Sequence, residues 1–292
     1  MGLTERIDGI DWTGAVSTAL SDRALDALEQ GAVLRLALPF ELAASEARLL
    51  REGVLSGKRK NASYDPRSGQ VKGAADDPAL RDALLSACAR YHRLTRDLAV
   101  RLFPPYRDAL ADGRTSFRPA EVSGRVPKSP RKDDSRLHVD AFPATPVQGR
   151  RMLRFFSNVN PEGATRHWQV GEPFPQVAQR FLPRVPAYSP LVARALAALR
   201  VTKSVRSAYD HCMLHIHDDM KCDADYQRSA VHEDVHFAAG ETWIVFTDQV
   251  SHAALAGRFM FEQTYYLPVA AQRFPDRSPL RVLERLSGRT LV

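Results

Sequence analysis

Cysteine and long apolar runs are scarce in this sequence, and both shortages exclude classes of protein. The 292 residues include three cysteines, Cys88, Cys212 and Cys222, none of which belongs to a CxxC pair. Three scattered thiols are too few for a disulfide framework. No segment approaches the ~18 consecutive apolar residues that span a bilayer, and the initial MGLTERIDGIDW lacks the basic and apolar segments of a signal peptide. We therefore expect a cytoplasmic protein, either free or peripheral on a membrane.

Acidic residues are fewer than basic ones, which bears on the partners that the chain can bind. Asp and Glu number 34 and Lys and Arg number 41, so the formal net charge is +7. A basic excess favours an anionic partner, such as nucleic acid, an acidic lipid surface or an acidic sugar. The interleaved aromatic and basic residues of a base-flipping site are not evident, so we expect no nucleic-acid partner.

The secondary structure that the sequence predicts changes from helices to short strands near residue 115. In the first part, apolar spacing predicts a short strand at 32–38, a basic loop at 57–73, and helices at 13–31, 40–53 and 78–103. In the second part, short β-type runs predict strands at 116–122, 136–141, 151–158, 205–216, 242–247, 250–254 and 258–267. Helix-like segments lie at 176–182, 190–200 and 279–286.

Helices followed by many short strands predict an α+β fold, with a β-sandwich or double-stranded β-helix (jelly roll) buttressed by the N-terminal helices. No linker divides the chain, so we expect one domain over 1–292. Within it, 1–110 is mainly helical, 115–270 forms the jelly-roll core and 271–292 is a C-terminal tail.

The segment SRLHVDAF contains the pattern HxD, formed by His138 and Asp140. Residues i and i+2 of a strand point to the same face, so this imidazole and this carboxylate lie side by side. A second histidine from another strand would complete a 2-His-1-carboxylate triad, which binds Fe(II) and leaves coordination positions open for a cosubstrate and dioxygen. His252, on a later predicted strand, is the candidate. Arg258, on the returning strand, could pair with the distal carboxylate of 2-oxoglutarate.

A second HxD pattern, His217 and Asp219, competes for the same role. Only 33 residues separate Asp219 from His252, which is short for the strands that a jelly roll places between the two halves of a triad. Asp140 lies 112 residues before His252. We therefore favour His138, Asp140 and His252 and expect the His217 segment to line the pocket from the opposite wall.

Four segments of the sequence resemble the bacterial 3-deoxy-D-manno-oct-2-ulosonic acid (Kdo) hydroxylases. They are KNASYDP (60–66), RKDDSRLHVDAFPATPVQGRRMLRFFSNVNP (131–161), MLHIHDDMKCDADYQ (213–227) and TWIVFTDQVSHAALAGRFMFEQTYYLP (242–268). The resemblance implies an Fe(II)- and 2-oxoglutarate-dependent dioxygenase that uses O2 to hydroxylate the 3-deoxy carbon of Kdo in Kdo-lipid A. It also implies peripheral contact with the cytoplasmic face of the bacterial inner membrane, and no obligate protein partner is evident.

Carried over by position, the resemblance makes His138, Asp140 and His252 the iron ligands. Arg154 and Gln263 are further candidates, besides Arg258, for holding 2-oxoglutarate. The candidates for binding the carboxylate and phosphates of the substrate are Lys58, Arg59, Lys60, Arg131, Lys132, Arg166, His217 and Lys221. Of these, Arg166 is expected beside Trp168 in a loop.

Two alternatives to this function stay open. One is an oxygenase of the same chemistry that acts on another small molecule or on a nucleobase. The other is a non-catalytic jelly-roll module that binds acidic glycans, which would not need the three metal ligands to converge.

Overall fold

The computed structural model describes residues 2–57 and 59–292, in which two sheets pack face to face. Lys58, one of the substrate-binding candidates, lies outside the described residues. Among the described residues, no helix has the length and apolarity needed to cross a membrane.

The larger sheet has eight strands in the order β1-β2-β9-β6-β11-β5-β3-β4. Its members are β1 (Thr4–Arg6), β2 (Val33–Leu36), β3 (Ala62–Asp65), β4 (Gln70–Lys72), β5 (Ala111–Arg118), β6 (Arg151–Asn158), β9 (Thr242–Phe246) and β11 (Met260–Leu267). Only the β1–β2 pair is parallel among these described strands. The central strands are buried on both faces because one face meets helices and the other meets the second sheet.

The smaller sheet has three antiparallel strands in the order β10-β7-β8. Its members are β7 (Arg166–Pro173), β8 (His232–Phe237) and β10 (Val250–Ala256). Aromatic side chains fill the space between the sheets: Phe156 and Trp243 from the larger sheet contact Trp168 and Phe237 from the smaller one. Pairs of aromatic side chains in such contact add about 0.5–1.5 kcal/mol each beyond their burial.

Seven α-helices surround the two sheets in the described chain. They are α1 (Thr18–Gln30), α2 (Pro78–Leu102), α3 (Phe174–Phe181), α4 (Pro190–Ala198), α5 (Ala208–Cys222), α6 (Ala224–Ser229) and α7 (Pro279–Ser287). Helices α1 and α2 cover the outer face of the larger sheet through Leu28, Leu98 and Leu102, which share a core with Phe155 and Phe246. Two sheets buttressed by N-terminal helices confirm the predicted α+β fold class.

Several predicted elements are wrong or displaced. Residues 205–216 are not a strand but the connection into α5 and most of that helix. Residues 136–141 form an isolated bridge rather than a strand, and the predicted helix at 40–53 is reduced to a 3-10 helix at Ala44–Leu49. The strand predicted at 116–122 lies at Ala111–Arg118, and part of the predicted loop at 57–73 forms β3 and β4.

Helix α5 was misread because its histidines alternate like strand residues. A capping box precedes them: the Ser207 side chain accepts from the backbone N–H of Asp210, and the Asp210 carboxylate accepts from the backbone N–H of Ser207. This reciprocal pair satisfies two N–H groups that a helix start leaves open. The segment SAYD therefore carried the helical signal.

Candidate metal centre

The candidate triad is assembled by one pair of backbone hydrogen bonds between distant segments. The N–H of His138 donates to the carbonyl oxygen of His252 over 3.0 Å, and the N–H of His252 donates to the carbonyl oxygen of His138 over 2.8 Å. Residues paired in this way project their side chains to the same side, and the two imidazole centroids are 4.7 Å apart. The bridge thus brings together residues that are 114 positions apart in the sequence.

Asp140 completes the cluster from the same segment as His138. Its Oδ1 lies 3.7 Å from Nε2 of His138. One ligand atom from each of His138, Asp140 and His252 lies within 4.8 Å of the other two, and all three residues are buried. Side chains at this spacing fit around one divalent ion, with the 2-His-1-carboxylate composition typical of non-heme iron.

Both histidines are oriented for coordination through Nε2. Nδ1 of His138 lies 2.7 Å from the carbonyl oxygen of Arg136, and Nδ1 of His252 lies 2.8 Å from that of Val250. A carbonyl accepts only, so the proton resides on Nδ1 and the lone pair on Nε2 is available to a metal. Burial lowers the pKa of both imidazoles below their ordinary value, which favours the neutral form that binds metals.

A buried ion network holds the carboxylate of Asp140. Arg154, on β6, donates to Oδ2 of Asp140 over 2.6 Å and also pairs with Glu262, on β11. Burial opposes ionisation of Asp140, but the charge of Arg154 outweighs it and holds the pKa of Asp140 below the ordinary value. Since Oδ2 faces Arg154, Oδ1 is left to face the metal position.

A cavity of about 80 Å³ lies beside the triad between the two sheets. Besides the triad it is lined by Arg118, Val122, Arg125, Asp134, Arg154, Phe156, Arg166, Trp168, Ala254, Met260 and Glu262. Four of these residues are arginines from β5, the loop after it, β6 and β7. The cavity is therefore suited to an anion that reaches the metal position.

Arg166 is the arginine in this cavity with the strongest need of an anion. It is buried, donates to the carbonyl oxygen of Gly257 over 2.7 Å, and its Nε has no partner among the described residues. Burial, together with the charges of Arg118 and Arg125, lowers the pKa of Arg166 to about 9. Such a shift indicates that the nearby carboxylates of Glu121 and Glu262, which favour the charged form, compensate the cation only in part.

Gly257 makes the placement of Arg166 possible. Its φ is +111°, and a Cβ at this position would lie 2.8 Å from Cδ of Arg166. Only glycine tolerates both the backbone conformation and the close approach. The structure also places Arg166 and Trp168 on strand β7, which corrects the prediction of a loop.

The structure does not bring two of the cosubstrate candidates to the cavity. Arg258 lies in the turn before β11 with its guanidinium 4.1 Å from the ring centroid of Phe259, and it is not among the lining residues. Gln263 faces the helix side of the larger sheet, where its Oε1 accepts from Thr115 over 2.5 Å and its Nε2 donates to the carbonyl of Thr264. Arg258 precedes β11. Gln263 lies on the face of β11 opposite to Glu262, which is the face that lines the cavity.

Arg154 does line the cavity, but three of its five N–H donors are occupied, one on each nitrogen. Nη1 donates to Asp140, Nη2 donates to Glu262 and Nε donates to Thr264. It is therefore better described as the residue that positions Asp140 than as a free partner for a second carboxylate.

Arg118 and Arg125 are the lining arginines that sequence reasoning missed. Arg118 ends β5 and donates to Glu262 over 2.7 Å, while Arg125 is held by the backbone carbonyls of Ala120 and Glu121. The sequence gives a partial signal for Arg118, since alternation along β5 sets it on the face opposite to Phe117. Nothing local distinguishes Arg125 from other loop arginines.

The remaining substrate candidates lie at different distances from the triad. His217, on α5, meets His138 edge to face with centroids 5.3 Å apart. Lys221, also on α5, is buried with its Nζ 3.9 Å from Asp134, and burial lowers its pKa. Helix α5 thus contacts His138 and Asp134, but none of its residues is among those that line the cavity at the triad, and the segment is not the strand that the sequence predicts.

Lys60 and Lys132 line a second cavity of about 370 Å³. This outer groove shares Val122, Arg125 and Asp134 with the cavity at the triad, so the two adjoin. Lys60 pairs with Asp134 over 3.3 Å. Arg131 lies outside both linings and pairs with Asp218 over 3.3 Å, and Arg59 is exposed.

Comparison with known proteins gives concordant matches over the whole chain. A family profile described as 3-deoxy-D-manno-oct-2-ulosonic acid (Kdo) hydroxylase matches residues 11–290. The apo structure of the Kdo hydroxylase KdoO, a non-heme Fe(II) alphaketoglutarate-dependent dioxygenase, is 43% identical, with a TM-score of 0.95 over 99% of this chain and 97% of that one. No curated protein matched in a separate search.

Two further KdoO structures hold small molecules. One, in complex with succinate and Fe(III), is 42% identical and matches 100% of this chain and 98% of its own with a TM-score of 0.95. The other, in complex with alphaketoglutarate and Fe(III), is 42% identical and matches 99% and 97% with the same TM-score.

Proposed function

Because the chain belongs to the Kdo hydroxylase family, as its sequence motifs predicted, we propose that it hydroxylates the 3-deoxy carbon of Kdo in Kdo-lipid A. The reaction would use Fe(II), 2-oxoglutarate and O2. The observation that carries the proposal is the convergence of His138, Asp140 and His252 beside a cavity rich in arginine. This convergence also disfavours a non-catalytic glycan-binding module, which has no need of it.

We assign the metal to Nε2 of His138, Nε2 of His252 and Oδ1 of Asp140. The donor set fits Fe(II), because two imidazoles and one carboxylate on one side of the ion leave positions for other ligands. Iron held there would supply activation of dioxygen with 2-oxoglutarate as the source of electrons. The protein's own contribution is to hold the ligands, through Arg154 and the two backbone carbonyls, and to exclude water.

We assign the distal carboxylate of 2-oxoglutarate to Arg166 rather than to Arg258. The support is the burial of Arg166 and its place in the cavity wall, which Arg258 does not share. A guanidinium binds a carboxylate through two parallel hydrogen bonds, and Arg118 and Arg125 add positive charge. Arg154 remains assigned to Asp140.

We assign the sugar to the outer groove that adjoins the metal cavity. Arg125 lies in the wall of both cavities, and Lys60, Lys128 and Lys132 line the outer one. These cations match the carboxylate of Kdo and the phosphates of lipid A. His217 and Lys221 on α5 are assigned to the substrate side of the metal position. A lipid-linked substrate would place the enzyme peripherally on the cytoplasmic face of the inner membrane.

The test is mass spectrometry of Kdo-lipid A after incubation with the protein, Fe(II), 2-oxoglutarate, ascorbate and O2. We expect the mass of one added oxygen atom on the Kdo moiety, and no addition when any of Fe(II), 2-oxoglutarate or O2 is omitted. The matched control is Asp140→Asn, which keeps the size of the side chain and removes its charge. Succinate formation without a modified sugar would assign the enzyme to another substrate.

A further inference from the structure

Helix α4 and the residues after it form an apolar and basic surface that the metal centre does not use. Ten large apolar side chains are exposed in the described chain, and five of them lie within residues 191–205. Among these five, the most exposed are Leu191 at 75%, Leu199 at 74%, Val192 at 57% and Val201 at 54%. This concentration is unusual, since exposed apolar residues of a monomer are normally scattered.

The exposed residues of α4 share one face of the helix. At 100° per residue, positions 191, 192, 195, 198 and 199 fall within about 120° of arc. These residues are Leu, Val, Ala, Ala and Leu, and all five are exposed. The side of α4 that faces the protein carries Ala193, which is buried. The helix therefore directs its larger apolar side chains outward.

The charged residues of α4 and of the segment that follows it are all cations. Residues 173–209 contain six Arg or Lys and no Asp or Glu. Arg194, Arg200 and Lys203 are exposed, and none of them forms an ion pair with a described residue. An apolar face bordered by cations is typical of a helix that lies in the interface of a membrane with anionic lipids.

The surface is also a neighbour of the groove assigned to the sugar. Tyr188, just before α4, meets the ring of His211 on α5 with centroids 5.7 Å apart. Arg131, in the loop that borders the outer groove, pairs with Asp218 on the same helix. His211 and Asp218 are seven residues apart, so they lie on one face of α5 about 10 Å from each other along its axis.

From these observations we propose that residues 188–206 dock the enzyme on an anionic lipid bilayer, with Leu191, Val192 and Leu199 inserted below the headgroups. The proposal deepens the proposed function, on which it rests for the lipid-linked substrate, and it names the membrane-contacting element. Helix α7 does not fit this role, because Leu280, Val282 and Leu283 are buried in the core.

The test compares binding to vesicles of phosphatidylglycerol and phosphatidylcholine in a flotation assay. The variant Leu191→Ser/Val192→Ser/Leu199→Ser should lower the partition coefficient by at least about tenfold, because it removes most of the inserted apolar surface. Arg194→Gln/Lys203→Gln should lower it by a smaller factor that disappears at high salt or with vesicles of phosphatidylcholine alone.

The matched control is Leu85→Ser/Val231→Ser/Leu286→Ser, which removes three exposed apolar side chains from elsewhere on the molecule. It should bind vesicles like the unaltered protein. Equal binding by the α4 variant and the control would overturn the proposal. So would sedimentation showing that α4 joins two copies of the chain while vesicle binding is unaffected by its variant.

An activity assay in detergent distinguishes a failure of the docking proposal from a failure of the proposed function. Turnover of Kdo-lipid A dispersed in detergent should be the same in the α4 variant and in the unaltered protein. If neither protein turns over the substrate in detergent but vesicle binding still depends on α4, the proposed function is contradicted and the docking proposal is supported.

Discussion

Asp140 has two tasks at the residue scale, since one of its oxygens faces the metal position and the other accepts from Arg154. Arg154 in turn joins Asp140 to Glu262, and all three residues are buried. Removing one partner of a buried ion network leaves an uncompensated charge, which is more costly than the net worth of the pair. The arrangement therefore couples the geometry of the metal site to the stability of the sheets.

Arg154→Met is expected to lower the free energy of unfolding by about 3–5 kcal/mol. Two carboxylates, Asp140 and Glu262, would remain buried without their shared cation. Urea unfolding measured by tryptophan fluorescence tests this. Glu262→Gln added to the same variant should restore part of the loss, whereas Arg258→Met, which breaks no ion pair in the described structure, should change stability by less than about 1 kcal/mol. Equal losses in the two arginine variants would refute the network.

Arg166→Met is expected to raise the KM for 2-oxoglutarate by about 10–100-fold, since a charge-assisted pair contributes about 1.5–3 kcal/mol. Arg258→Met serves as the control and should leave this KM unchanged. The measurement is succinate formation at varied 2-oxoglutarate concentration. The reverse pattern, in which Arg258 matters and Arg166 does not, would restore the assignment made from sequence order.

The affinity of the site for a divalent metal ion should fall only when the pH is lowered below the ordinary pKa of histidine. Burial lowers the pKa of His138 and His252 below 6.5, and that of Asp140 lies below 3.8. All three ligands then stay in the metal-binding form as pH falls to about 6.5, and protons compete only below that value. Calorimetric titration with Co(II) tests this, with His217→Asn as the non-ligand control. A steep loss of Co(II) affinity on lowering the pH, already while the pH is still above about 6.5, would contradict this prediction.

The triad could be selected from sequence because the HxD spacing is local and His252 lies in a strand with a clear signal. The proposed role of Arg166 in binding 2-oxoglutarate could not be predicted in this way, because its position depends on how the two sheets face each other. Arg166 and Arg258 are both near β-type residues, and only the packing of β7 against β6 and β11 sets Arg166 in the cavity.

At the scale of elements, α5 supports the segment that carries the HxD pattern. Asp210, in its first turn, accepts from the backbone N–H groups of Val147 and Gln148 as well as from Ser207. On the other side of Asp140, the side-chain amide of Gln227, on α6, pairs with both the N–H and the carbonyl of Leu137. Helices α5 and α6 together therefore fix the chain on both sides of Asp140.

Asp210→Ala is expected to lower the free energy of unfolding by about 2–4 kcal/mol, because it removes a cap and leaves loop N–H groups without an acceptor. Asp225→Ala, in the short helix α6, is the matched control, since Asp225 is exposed and pairs only with the nearby Arg228 and should lose less than about 1 kcal/mol. Chemical denaturation gives both values. A loss at Asp210 no larger than that at Asp225 would show that α5 is held by packing alone.

Strands β7 and β8 were missed for a physical reason that concerns elements. Their residues, RHWQVGEP and HEDVHF, are polar on the outer face and include Gly171 and Pro173, so neither segment has a strong strand signal. Their inner residues Trp168, Val170, Val235 and Phe237 are buried against the larger sheet. Tertiary packing, rather than local propensity, makes them strands.

At the scale of the whole molecule, the N-terminal part is built into the sheet that carries the site. Strand β2 pairs with β9, and β3 pairs with β5, so residues from 1–110 extend the larger sheet at both ends. Helices α1 and α2 cover its outer face. We propose on this basis that 1–292 is a single domain, with the helical part and the jelly-roll core inseparable.

A single cooperative unfolding transition is expected for the metal-free protein. Tryptophan fluorescence reports mainly the space between the sheets, and far-ultraviolet circular dichroism reports the helices as well, so the two urea curves should coincide. A chain truncated to 111–292 should not give a cooperative transition, because it lacks β2, α1 and α2. Separate transitions, or a folded truncated chain, would divide the molecule into two domains.

The most direct test of the account is the fate of isotopically labelled dioxygen. Reaction of the Fe(II)-loaded protein with 2-oxoglutarate and Kdo-lipid A should place one labelled atom on the 3-deoxy carbon of Kdo and one in succinate. The His252→Asn variant should bind no Fe(II) and label neither product. Labelled succinate with unlabelled Kdo, or full labelling by the His252→Asn variant, would contradict the claim that His138, Asp140 and His252 hold the iron that oxidises this sugar.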